Sequence, residues 1–145
     1  MQILSQLNPA WANITMGKSG VTLARAGCTT TDVSMSSDYF GDYRNPGECA
    51  KTLEYTADGR ILWASIGKVF NKMTFHWREY EYNPSMIAEA LKNPDKTCLL
   101  NVDKGGHWVL ALTSLGFGKY WVADPYGGKK CIYGGVVGCA ILKRK

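Results

Sequence analysis

Short runs rich in β-branched and aromatic residues, "TCLLNV", "HWVLALTSL", "KYWVADPY", "KCIYGG" and "GCAILK", fill the end of the chain, and the breaks "KGG", "GFG", "YGG" and "GG" separate them. Such residues fit a pleated surface, and short glycine-rich breaks reverse the chain between antiparallel neighbours. This part of the chain is predicted to be an antiparallel meander. Before it the pattern is helical. From Cys28, Val33, Ser36, Ser37 and Phe40 fall at helical spacing, Asp32 sits in the first turns, and Gly41 can end the segment, which predicts a helix over about 28–40. "GECAKTLEYT" after Pro46 and "SMIAEALKN" between Pro84 and Pro94 predict two more helices. "RILWASIGKVF" is ambiguous between helix and loop, and "KMTFHWREYEY" alternates Met73, Phe75 and Trp77 against Thr74, His76 and Arg78, as a half-buried strand does. Helices followed by a sheet give an α+β fold, with one helix packed on a C-terminal antiparallel sheet. Residues 5–27, rich in Gly, Asn and Ser around Pro9, read as an extended lead-in across the surface.

At 145 residues, with 46% hydrophobic and 20% charged side chains, the chain has the size and composition of one folded domain spanning 1–145. A net charge of +5, partly in Lys129, Lys130 and the terminal "KRK", tilts it towards anionic partners; a solvated basic tail is the plainer reading. No run is apolar enough for a membrane span, and the first residues lack the pattern of an export signal. Five cysteines (Cys28, Cys49, Cys98, Cys131, Cys139) with no CxxC pair and only two histidines lack the spacing of a zinc site, so no metal or other cofactor is expected. Without an export signal, Cys49, Cys98, Cys131 and Cys139 are expected to stay reduced.

One thiol stands apart. Cys28 follows Gly27 at a predicted helix start, where unpaired N–H groups and the helix dipole favour a thiolate. A nucleophilic cysteine also needs an imidazole within reach and a group that orients it. His76 and His107 are both followed by Trp, but their surroundings differ. His107 opens an apolar strand after the turn "DKGG" and can project into a cleft, whereas His76 shares its strand face with Thr74 and Arg78, a cation that disfavours imidazolium. The next strand ends in Asp124, stopped by Pro125, and a hairpin through "GFG" would return it beside His107. Singly, each of these residues has an ordinary structural reading; together they point to nucleophilic catalysis. Trp108 is the aromatic best placed to wall such a site.

"AGCTTTDVSM", "GGHWVLAL" and "YWVADPYGG", in this order, resemble the C39-like branch of the papain-like cysteine peptidases, and "SQLNPAW" resembles that family's N-terminal segment. The resemblance runs from about residue 5 to about residue 128 and implies a papain-like fold. It also implies Cys28 as nucleophile, His107 as general base and acid, Asp124 as its orienter, and Gln6 or a backbone N–H near Cys28 as oxyanion donor. The segment "VTLARAG" before Cys28 lacks the glutamine that many papain-like enzymes carry there. The expected activity is hydrolysis of a peptide or isopeptide bond, on a peptide or a cell-wall polymer, by a monomer that binds no nucleic acid; the sequence leaves the setting open, with both a cytoplasmic and a phage-associated one compatible with it. Two alternatives stay open: an inactive peptide-binding module on the same fold, and an acyltransferase that passes the same thioester to an amine.

Overall fold

The computed structural model describes all 145 residues. Five α-helices and six strands follow one another as α1 (Leu23–Ala26), α2 (Cys28–Tyr39), α3 (Pro46–Thr52), α4 (Ile66–Val69), β1 (Met73–Glu79), α5 (Pro84–Lys92), β2 (Lys96–Val102), β3 (His107–Gly116), β4 (Lys119–Asp124), β5 (Lys129–Tyr133) and β6 (Gly138–Arg144). The fold is α+β. The ambiguous segment "RILWASIGKVF" becomes a 3₁₀ turn, Trp63–Ser65, running into α4.

One antiparallel sheet of six strands has the order β1-β6-β2-β3-β4-β5. The expected meander holds for β2 to β5. β6 departs from it by crossing back to lie between β1 and β2, which draws β1, from the helical half of the chain, into the sheet. Successive side chains of a strand point to opposite faces, and the core divides accordingly. Leu99, Leu110, Ala123, Ala140 and Leu142 pack with Val33 and Met35 of α2, whereas Leu100, Val109, Val122 and Ile141 pack with Ile87 and Ala90 of α5.

In β1 the expected alternation fails at one residue. Phe75 pairs with Leu142 and Trp77 with Ile141, so His76 is an extra residue bulged out of the ladder. The bulge turns Trp77, 53% exposed, away from the α2 face and gives that face to Arg78.

α2 is a poor helix by composition, since Thr and Ser lose χ1 freedom or bond to nearby backbone. Its position in the core offsets this, because most of its hydroxyls are buried with partners. Thr30 Oγ1 lies 2.8 Å from Tyr55 Oη, Ser36 Oγ lies 2.9 Å from Thr97 Oγ1, and Ser34 Oγ donates to Arg44 O at 2.5 Å.

Two expectations about the chain ends are corrected. The lead-in is not an extended surface segment: it turns repeatedly, forms α1, and buries Gln6, Ala12, Met16 and Leu23. The basic tail is anchored, with Arg144 paired to Asp95 at 3.0 Å and Lys145 Nζ donating to Gly67 O and Phe70 O. The five cysteines are free thiols, and no helix is long and apolar enough to cross a membrane.

Candidate active site

Gly27 is the hinge on which the site is built. Its N–H donates to Leu23 O at 2.8 Å and closes α1, and its carbonyl accepts the first bond of α2 from Thr31 N–H at 2.9 Å. A Cβ at this position would lie 2.6 Å from both Leu23 Cδ2 and Leu23 O. Only glycine lets the two helices join this tightly. The junction puts Cys28 at the first position of α2, where the leading N–H groups lack carbonyl partners within the helix.

Across a cleft of about 640 Å³ from α2, the sheet supplies His107 and Trp108 from the start of β3. The turn before them carries Asp103, Lys104 and Gly105 in left-handed backbone conformations (φ 52°, 55° and 94°). The hairpin of β3 and β4 returns Asp124 to His107, whose Nε2 lies 2.8 Å from Asp124 Oδ1, and the other ring nitrogen, Nδ1, is left for a second partner. Asp124 is 3% exposed and saturated with donors: Tyr126 N–H reaches Oδ1 at 2.9 Å and Tyr133 Oη reaches Oδ2 at 3.1 Å. Its carboxylate is thereby fixed in orientation.

Cys28, His107, Trp108 and Gln6 all line this cleft, and Asp124 lies directly behind His107. Trp108 stands edge-on to Trp63, with ring centroids 5.5 Å apart, and Trp63 in turn stacks on Phe75. Gln6 is held rather than free: its backbone N–H donates to Pro125 O at 2.8 Å, and its amide nitrogen donates to Leu23 O and Ala24 O, both at 3.2 Å. Both amide protons are thus committed to α1, contrary to the expectation that Gln6 is available to an oxyanion. His76 is exposed on β1, three strands away from β3. Its pKa is lowered by partial burial and then by Lys96 and Lys143, not by the Arg78 expected from the sequence.

The thiol does not behave as a helix start alone would dictate. Burial, with an ionised Asp32 adding repulsion, pushes the Cys28 thiol up to about 11, and the favourable effects of the Trp108 backbone and of Thr29 are smaller. Asp32 itself contradicts the expectation of a dipole-stabilised anion near the helix start. It is 0% exposed, neither carboxyl oxygen has a partner, and burial together with the Asp124 charge holds its pKa well above the ordinary carboxylate range. Four residues after Cys28, it lies one turn further along the same helix face. That spacing was visible in the sequence; its burial was not. Arg25, Arg78 and Tyr133 also belong to the site and its surroundings, brought there by the α1 turn, the β1 bulge and the β4–β5 pairing. No protein-family model matches the chain, and no curated protein matches it.

Proposed function

We propose that the protein is a cysteine peptidase of papain-like type, with Cys28 as nucleophile, His107 as general base and acid, and Asp124 as its orienter. The observation that carries this reading is the 2.8 Å contact of His107 Nε2 with a buried, saturated Asp124, in a cleft whose opposite wall presents Cys28 at a helix start. With Nε2–H donating to Asp124, Nδ1 is the basic nitrogen and the one available to the thiol. A neutral resting thiol suits general-base activation. Cys28 Sγ attacks the substrate carbonyl carbon as its proton passes to Nδ1. The carbonyl π pair moves onto oxygen, and the unpaired N–H groups at the start of α2 stabilise the oxyanion. His107 then gives its proton to the leaving amine as the C–N bond breaks, leaving a thioester. Water, deprotonated by the same imidazole, attacks the thioester, and the departing sulfur recovers a proton. Gln6 acts indirectly, by holding α1 and hence the Gly27 junction.

A second reading, a peptide-binding module without turnover, is favoured by one observation, the elevated pKa of the Cys28 thiol. An epoxysuccinyl peptide separates the two, because a competent thiol opens the epoxide, forming a C–S bond and breaking a C–O bond whose oxygen takes the imidazolium proton. The expected result is stoichiometric labelling at Cys28 that disappears in Cys28→Ala and in His107→Ala. Labelling that ignores the His107 substitution, or that falls on Cys131, overturns the peptidase reading.

A further inference from the structure

The cleft beside Cys28 is cationic. Three arginines, Arg25, Arg60 and Arg78, line it against a single carboxylate, Asp58. Arg60 and Asp58 neutralise each other through a 2.9 Å ion pair on the exposed rim. The other two arginines have no acidic partner. Arg25, in the last turn of α1 and three residues before the nucleophile, is exposed, and its guanidinium makes no hydrogen bond or ion pair. Arg78 faces it from the sheet side. Its guanidinium lies 4.1 Å from the Tyr80 ring centroid and 4.7 Å from that of Trp108. It also donates from Nη1 to Glu79 O and to Cys139 O. Glu79, its neighbour along the strand, forms no ion pair with it.

A guanidinium clamped by two aromatic faces is held in one orientation with Nε and Nη2 unspent, which is how a bidentate carboxylate site is preorganised. Partial burial lowers the pKa of Arg78, and the nearby Tyr80, Cys139 and Glu79 raise it by less, so the guanidinium is incompletely compensated for the water it has lost. A ligand carboxylate would complete that compensation.

We infer that the cleft selects peptides bearing a carboxylate next to the scissile bond, with Arg78 as its main partner and Arg25 as the second. The inference deepens the peptidase reading and rests on it. A carboxylate can come from an Asp or Glu side chain or from a free C-terminus, and the test separates these sources. Acetylated hexapeptides that carry Glu or Gln at successive positions, each as C-terminal amide and as free acid, are titrated by anisotropy against the full-length Cys28→Ala protein, so binding is read without turnover. Glu peptides are expected to bind about 10- to 100-fold more tightly than their Gln partners at one position, as charge-assisted hydrogen bonds in a partly desolvated site do. Arg78→Gln should bring that ratio close to one, and Arg25→Gln, on an exposed side chain with no packing role, should reduce it by several fold. Preference for free acids over amides, with no Glu preference, assigns the site to a terminal carboxylate. Peptides bound alike whatever their charge, or selectivity unchanged in both arginine variants, overturn the inference even if wild-type protein cleaves them. Charge-selective binding without cleavage by the wild type overturns only the peptidase reading.

Discussion

Asp32→Asn is the substitution for which the structure gives the most definite sign. Asp32 is 0% exposed with both oxygens unpartnered, and the charge of Asp124 adds to the burial that raises its pKa. In the unfolded chain the group titrates near an ordinary Asp value of about 3.9. The native state therefore holds a proton at pH values where the unfolded state has released it, and stability falls as pH rises from the unfolded value towards the folded one. Across that window a single group contributes a slope of up to about 1.4 kcal/mol per pH unit. For a chain of this size that corresponds to roughly 3 to 6 °C of Tm per pH unit. Asn has nearly the same shape and no charge to lose, so the variant should match wild type near pH 4 and become progressively more stable than it above that. Thermal unfolding followed by circular dichroism from pH 4 to pH 8 reads both curves. Parallel Tm curves for the two proteins, or an Asn variant less stable at pH 7, would refute the reasoning and mean that Asp32 has a polar partner.

Asp124→Asn can donate to His107 Nε2 and stabilise the tautomer that leaves Nδ1 protonated and unable to act as a base. Because the Cys28 thiol rests neutral, turnover should fall by an amount approaching the roughly 10⁴-fold loss of serine triads; activity within threefold of wild type in a steady-state peptide assay would exclude the orienting role. His107→Ala should remove turnover, whereas His76→Ala, three strand spacings or about 14 Å across the sheet, should leave it within about twofold, and the reverse ranking would move the site. Gly27→Ala forces a Cβ to within 2.6 Å of Leu23 O and should cost about 1–3 kcal/mol in urea unfolding; an unchanged midpoint would show that the α1–α2 junction is slack.

Local pattern carried the elements that depend on local rules. α2 covers Cys28–Tyr39 where helical spacing predicts 28–40, and Pro84 opens α5 as Pro at a first helical position should. The hairpin geometry that joins His107 to Asp124 follows from the turn between two alternating runs. What the pattern could not carry was long-range choice. β6 carries no local mark that sends it between β1 and β2 rather than beside β5, because edge pairing depends on how much apolar surface each arrangement buries. Asp32 has the sequence surroundings of an N-terminal helix anion, and only the packing of the sheet over α2 makes it a buried acid.

The bulge at His76 shows how one such unreadable event reaches the chemistry. A regular β1 would carry Trp77 on the face of Phe75 and turn Arg78 towards the α5 side, leaving the cleft beside Cys28 without its sheet-side cation. The inserted residue exchanges the two. Trp77 goes to solvent, and Arg78 comes to rest against Trp108, the residue that follows His107. The charge of the cleft is thus a consequence of strand register, and the composition of the chain does not determine it. Deleting His76 removes the extra residue but leaves Trp77 opposite Ile141 and Arg78 opposite Ala140, so Arg78 should keep its place on the α2 face and the cleft its preference for acidic peptides, and the contact between His107 and Asp124, set by β3 and β4, should persist as well. Charge selectivity lost on the deletion, in the same anisotropy titration against Glu and Gln peptides, would show that the pairing register of Trp77 and Arg78 with β6 does not by itself place the cation in the cleft.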